Sequence, residues 1–282
     1  MVENQRWLDY MAHAVLILGV LLVAFPVYVA FIASTHEPNA FIRGTIPLLP
    51  GDNIVESYAG VFRGGVASQM SVPIGLMLTN SMIMALAIAF GKIVISILSA
   101  FAIVYFRFPF RGLAFWLIFI TLMLPVEVRI VPTFQVISTL NLLNSYTGLT
   151  VPLMASATAT FLFRQVFLTM PDELMEAARI DGAGPMKFFK DILLPMSQTN
   201  IAALFVILFI YGWNQYLWPI LVTTDDSYQT IVAGIKRMSD VVDSEPLWNY
   251  IMSVTVLAMV PPVLVVIFMQ RLFVKGLVDS EK

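Results

Sequence analysis

Apolar positions run along this chain in six stretches, Ala12–Ala33, Leu76–Tyr105, Leu113–Val131, Tyr146–Leu168, Ile201–Val222 and Asn249–Met269. A helix needs about 20 apolar residues to cross the hydrocarbon layer. Each stretch therefore predicts a membrane span, and the longest, Leu76–Tyr105, is expected to tilt or project. The first run carries a weak basic flank and no small-residue cleavage pattern, so it reads as a retained helix rather than a leader. With both termini placed in the cytoplasm, the inner segments hold Arg6, Arg107, Arg111, Arg164, Arg179, Lys187, Lys190, Arg271, Lys275 and Lys282. The outer segments hold only Arg43, Arg63, Arg129, Lys236 and Arg237, a bias that orients both ends inward.

Two sizeable segments then lie outside, Ser34–Gly75 and Thr223–Trp248. The first has turn chemistry at Pro47, Pro50 and Gly51, followed by an amphipathic stretch, Asn53–Phe62, expected to lie as a helix at the interface. The large inner segment spans Arg164–Asn200, and its residues 169–195 read TMPDELMEAARIDGAGPMKFFKDILLP. Thr169 and Asp172 around Pro171 predict a capped helix start. That helix runs through Ile180 and stops at Gly182-Ala183-Gly184-Pro185; a second short helix from Met186 is expected to end at Pro195. Ala177 and Ala178 remove bulk, so that another protein's surface can approach the backbone. Gly182 permits a turn that a Cβ would resist. Glu176 and Arg179, three apart, can pair with each other or with a partner. On residue types alone, a partner-free interfacial helix explains this loop as well as a docking elbow does.

Composition narrows the class. The 282 residues are 59% hydrophobic and only 12% charged, an apolar excess that must face lipid. The net charge of −2 gives no sign of nucleic-acid binding, and the absence of cysteine excludes disulfides, thiolate metal sites and cysteine nucleophiles. Two histidines, His13 and His36, are too few for a metal cluster. No GxxxxGK[ST] loop is present, so this chain does not hydrolyse ATP by that route.

Glu176-Ala177-Ala178, then Gly182, then Ile192-Leu193-Leu194-Pro195, resembles the EAA signature of ABC-importer permeases. Pro26, Asn80-Ser81, Ala100-Phe101-Ala102, Leu124-Pro125-Val126-Glu127 and Trp213-Asn214-Gln215-Tyr216 are similar to the carbohydrate-type branch of that family. Over nearly its whole length the chain resembles the E-type permeases of sn-glycerol-3-phosphate importers, notably in MLPVEVRI, PLMASATATFLFRQ, YGWNQYLWP and GLVDSEK. The last stretch departs from the longer tail of many carbohydrate permeases, which puts a tail contact with the ATPase in doubt. The resemblance implies the MetI-like fold of type I importers: all-α, integral to the bacterial inner membrane, with six transmembrane helices.

The division that follows is a tail, first span and periplasmic segment over 1–72, a permease core over 73–270 with the coupling loop at 169–195, and a cytoplasmic tail over 271–282. Glu176, Ala177, Ala178, Arg179, Asp181, Gly182, Ile192, Leu194 and Pro195 would couple to an ATPase dimer. That dimer uses ATP and magnesium, and this chain binds no cofactor of its own. The resemblance further implies a homologous permease, a periplasmic binding protein, and as cargo a small anionic polyol phosphate, sn-glycerol-3-phosphate or a glycerophosphodiester. The same architecture importing a neutral sugar or polyol is the alternative cargo.

Polar groups within spans are functional candidates because burying them in lipid is costly. Lys92 and Glu127 each lie roughly 22–24 Å above the inner face, counting 1.5 Å per residue from Arg107 and Arg111. They can form a structural ion pair, or Lys92 can attract the cargo's phosphate, or it can snorkel to an interface. Asn80, Asn214 and Gln215 are pathway candidates, with interhelical hydrogen bonding as the alternative. Trp213, Trp218 and Trp248 read as an interfacial belt, with substrate stacking the alternative. Arg129 is an interface anchor or a lure for anions. An ion-coupled secondary transporter would also use intramembrane charges, but no inverted repeat supports it. A lipid-directed enzyme lacks clustered histidines, paired carboxylates or a serine elbow.

Overall fold

The computed structural model describes residues 6–40, 47–64, 72–121, 126–240 and 245–279, without side-chain detail at 6, 39, 126–127 and 271–279. Among the described residues every regular element is helical. In chain order these are α1 (Arg6–Ser34), α2 (Ile54–Arg63), α3 (Ile74–Tyr105), α4 (Arg111–Ile120), α5 (Val126–Thr139), α6 (Tyr146–Thr150) and α7 (Ala157–Leu168). Then follow α8 (Asp172–Ile180), α9 (Pro185–Phe188), α10 (Leu194–Met196), α11 (Gln198–Trp213), α12 (Leu217–Val222), α13 (Ile231–Ser239) and α14 (Trp248–Asp279). The interfacial stretch expected at Asn53–Phe62 is helical, as α2.

Among the described residues, three segments are long and apolar enough to cross a membrane unbroken: Trp7–Ser34, Ile74–Tyr105 and Trp248–Gln270. Two bent pairs bring the number to as many as five. The stretch expected as one span at Tyr146–Leu168 is broken, with a 48° bend between Tyr146–Leu153 and Ala157–Leu168. Its causes are local. Pro152 lies in a tight turn at Val151–Leu153, and Ser156 restarts the helix by accepting from the Ala159 N–H at 3.3 Å. The Ser156 carbonyl takes a bond from Ser96 Oγ at 3.2 Å. The fifth stretch also breaks: α11 ends at Trp213, and α12 starts at Leu217 with Pro219 in its first turn. The third expected span, Leu113–Val131, falls on the ten-residue α4 and on α5, which continues to Thr139 through an internal Pro132. Leu124 and Pro125 lie outside the described residues.

The chain separates into two compact units. The first comprises 1–75 and 234–260. Within it the C-terminal end of α1 is pinned by a polar loop: Tyr28 Oη donates to the Leu48 carbonyl at 2.5 Å, and Thr35 Oγ1 accepts from the Gly51 N–H at 2.8 Å. A Cβ on Gly51 would fall 2.6 Å from the His36 ring, so this approach requires glycine. The rest of α1 is exposed, with only 6% of its apolar window buried. In solution such a helix would be untenable; beside lipid it needs no protein cover.

The second unit comprises 76–233 and 261–282. Its core joins Met84 and Ile88 of α3 to Ile137, Leu149, Trp218 and Val222. Gly212 brings α11 so close to α3 that a Cβ there would stand 2.9 Å from Ala85 Cα. Small residues at both positions let these helices pack backbone to backbone.

Candidate functional site

The segment 169–195 folds as the elbow its glycines predict. α8 closes with Ala183 N–H donating to Ala178 O at 2.8 Å and Gly182 N–H to Arg179 O at 3.1 Å. This six-to-one and five-to-two pair demands a left-handed residue between helix and exit, and Gly182 supplies it at φ 71°. Gly184 then caps α9 with Pro185 as its first residue.

Two local expectations are corrected. Thr169 does not cap α8: its hydroxyl donates back to Val166 O at 2.8 Å and closes α7, while Pro171 itself stands at the cap of α8. Pro195 does not end the second helix either. A widened turn at Phe189–Leu193, with Leu194 N–H bonded to Phe189 O, leads straight into α10, which contains Pro195. Proline has no N–H to give the preceding turn, and a π-type turn accommodates that loss. The break comes instead at Ser197, and α11 leaves at 73°.

Ala177 and Ala178 have different surroundings. Ala177 is exposed, but Ala178 is 4% exposed and faces inward. It lines a cavity of about 200 Å³ with Phe101, Tyr105, Met175 and Phe188, so it serves packing within the chain. Glu176 and Arg179 are both exposed, and among the described residues they form no ion pair with each other. Asp181 and Gly182 are exposed at the tip; Ile192 and Leu194 are half-buried and Pro195 is exposed. Two apolar side chains that motif reasoning passed over stand out most: Ile180 is 86% exposed and Met186 65% exposed. Helical periodicity could have found Ile180, since it falls off the Met175–Ala178 inner face.

Aromatic rings fasten the elbow to α3. Phe189 lies 4.8 Å from Phe101 and Phe188 lies 5.2 Å from Tyr105, centroid to centroid. Tyr105 Oη donates to Phe167 O at 3.3 Å, adding α7 to the cluster. The elbow is therefore mechanically continuous with the long span.

Higher in the second unit, Lys92, Arg129, Thr133, Tyr211 and Gln215 line a cavity of about 220 Å³. Lys92 is 7% exposed, and its Nζ stands 3.7 Å from the centre of the Tyr211 ring, a cation–π contact that offsets its desolvation. Glu127, its expected partner, lies outside the residues whose side chains are described. Arg129, named from sequence only as an anchor or lure, shares this cavity, and none of the described lining residues is acidic. Gln215 Nε2 donates to Tyr211 O at 3.1 Å, and Asn214 is exposed at the break between α11 and α12.

Asn80 is elsewhere and fully engaged. Its Nδ2 donates to Ser227 O at 2.8 Å and Gln229 O at 3.0 Å, and its Oδ1 accepts from Tyr146 Oη at 2.7 Å. At 0% exposure it acts as a strut for the 227–229 segment. The belt reading fails for two tryptophans. Trp213 is buried and stacks on Phe209 at 5.8 Å, and Trp218 is buried with Nε1 donating to Gly148 O at 3.1 Å. Each found a polar or ring partner inside the fold, which periodicity alone does not reveal.

A family model described as binding-protein-dependent transport system inner membrane component matches residues 92–279. The chain is 61% identical over 282 residues to the sn-glycerol-3-phosphate transport system permease protein UgpE of Yersinia pestis bv. Antiqua (strain Antiqua), with both chains covered in full. The protein of the same description from Agrobacterium fabrum is also 61% identical, and that from Brucella suis biovar 1 is 58% identical, again over 100% of each chain. Among solved structures, a bacterial ABC transporter involved in the import of the acidic polysaccharide alginate matches with a TM-score of 0.79. That match covers 96% of this chain and 98% of the other at 19% identity, a likeness of fold.

Proposed function

The chain belongs to the family of binding-protein-dependent transport system inner membrane components, and from that membership we propose that it is one permease subunit of an ATP-driven importer of sn-glycerol-3-phosphate. Chemistry is not its task; it is a multi-pass inner-membrane transport subunit. In this reading it crosses the bilayer six times with both termini in the cytoplasm, as a permease core over 73–270 between an N-terminal portion over 1–72 and a short tail. A homologous permease completes the pathway, a periplasmic protein delivers cargo, and an ATPase dimer, using ATP and magnesium, drives it.

The observation that carries the reading is the elbow of α8 and α9. It projects Ile180 and Met186 while its inner face is clamped by rings to α3. An ATPase cleft that grips Ile180 and Met186 pulls on Phe188 and Phe189, and through Phe101 and Tyr105 the pull reaches the long span. The cavity of Lys92 and Arg129 supports the cargo: two cations with the hydroxyls and amide of Thr133, Tyr211 and Gln215 suit a phosphate on a short polyol.

The test has two arms. Cysteines at Ala177 and Ile180 should cross-link to the ATPase with a yield that changes with nucleotide; no link in an assembled complex refutes docking. A strain lacking this subunit should lose uptake of labelled glycerol phosphate while keeping that of a maltodextrin. Unchanged glycerol phosphate uptake refutes the cargo.

A further inference from the structure

Four arginines gather around two adjoining cavities, and of the four only Arg179 has a part in the transport reading. Arg107, Arg111 and Arg179 line one of about 370 Å³, in which Asp172 is the one acidic residue among the described lining residues. Arg111 also lines its neighbour of about 310 Å³, together with Arg164 and Trp116. The Arg164 guanidinium lies over the Phe115 ring at 4.3 Å, which fixes its plane. Its Nε is buried and, among the described residues, has no hydrogen-bond partner. Among the described residues, none of the four guanidinium groups pairs with a carboxylate. A buried guanidinium N–H left without an acceptor is unfavourable, and an excess of unpaired arginines around a pocket selects an anion.

The surroundings indicate which anion. On α4, Leu113, Trp116 and Leu117 are 57%, 58% and 59% exposed, beside the second cavity. An apolar strip with a tryptophan next to basic pockets is the arrangement that receives acyl chains below a headgroup. Arg111 opens α4, whose cap residue Phe110 gives no side-chain acceptor, so the helix start adds partial positive charge.

We propose that these cavities bind the phosphate headgroup of an anionic phospholipid of the inner leaflet, with its acyl chains lying along α4. The assignment to that leaflet rests on the cytoplasmic placement of the elbow given above. Arg179 belongs to α8, so the bound headgroup bridges the coupling helix to α4 and steadies the elbow at rest.

Free phosphate presents the same oxygens, and the experiment separates the two sources. The assembled transporter, with its ATPase and partner permease, is exchanged into nanodiscs of phosphatidylcholine containing or lacking phosphatidylglycerol. Lipid retained after extraction is then read by native mass spectrometry. Native protein should retain phosphatidylglycerol over phosphatidylcholine, and the Arg111→Gln, Arg164→Gln variant should lower that preference by about tenfold, as expected for losing a charge-assisted contact. Undiminished preference in the variant overturns the proposal. Displacement of the lipid by inorganic phosphate, or arginine-dependent phosphate binding without lipid preference, overturns the lipid assignment.

Should the variant fail to assemble, native protein decides. The fluorescence lost in Trp116→Phe should be quenched more by brominated phosphatidylglycerol than by brominated phosphatidylcholine, and equal quenching overturns the site. Glycerol phosphate uptake without lipid preference removes this proposal alone; lipid preference without uptake or ATPase linking removes the transport reading and leaves the binding site standing.

Discussion

Tyr105 meets Phe188 edge to ring, centroids 5.2 Å apart and planes at 67°. Edge-to-face pairs contribute about 0.5–1.5 kcal/mol beyond their buried area. A cycle of Tyr105→Leu, Phe188→Leu and the double variant, read by thermal unfolding of the assembled complex, should give a coupling energy of that size. Phe188→Ala should also lower transport per ATP hydrolysed, because the elbow then moves without carrying α3. Transport and hydrolysis falling in proportion would deny the ring contact a transmitting role.

Ala177 and Ala178 should separate cleanly. Ala177→Cys is expected to react rapidly with a maleimide in the free permease and slowly once the ATPase is bound. Ala178→Cys should be slow in both, since the side chain faces the cavity of Tyr105 and Phe188. Ala178→Leu sends three further carbons into that cavity against Tyr105 and Phe188 and should change thermal stability. Ala177→Leu should leave thermal stability alone and weaken ATPase binding. Equal labelling rates would contradict the inward placement of Ala178.

Gly182 has open space around it, and only its φ of 71° forbids a side chain. Gly182→Ala should therefore destabilise the elbow by about 1 kcal/mol through backbone strain. Gly184 sits at φ −72°, so Gly184→Ala should be close to neutral. Hydrogen exchange over 178–190 reports both, and equal effects would mean that the turn conformation is not what selects glycine.

Lys92 and Arg129 border the same cavity. Lys92→Met should raise the half-saturating concentration for glycerol phosphate by roughly tenfold, the scale of one charged hydrogen bond. Combining it with Glu127→Gln tests the ion-pair alternative. Transport restored in the double variant would show that Lys92 serves packing and not the phosphate.

Asn80 makes three side-chain hydrogen bonds while fully buried. Asn80→Ala strands the Tyr146 hydroxyl and two carbonyls and should destabilise the fold by about 2–3 kcal/mol. Uptake should then fall with the amount of folded protein and keep its concentration dependence. A shifted concentration dependence at normal protein level would place Asn80 in the pathway.

Sequence alone determined that this chain lives in a bilayer, because a 59% hydrophobic composition gathered in long runs has no other stable solvent. It also determined the elbow, since Gly182 and Pro185 act through backbone torsions that neighbours in space do not change. What it could not determine was which side of each element faces inward. Ala177 and Ala178 are chemically identical, and only packing against Tyr105 and Phe188 distinguishes them. The broken span at Pro152 and Ser156 stayed hidden because apolar runs on both sides conceal a break at which the Ser156 carbonyl takes a further bond from Ser96, 60 residues away. Tertiary structure likewise decided the partners of the polar groups. Asn80 was drawn to the 227–229 backbone, Lys92 to the face of Tyr211, and Trp218 to the Gly148 carbonyl. In a medium without water, a buried polar group takes whichever complement the fold brings within reach, and that proximity is a property of three dimensions.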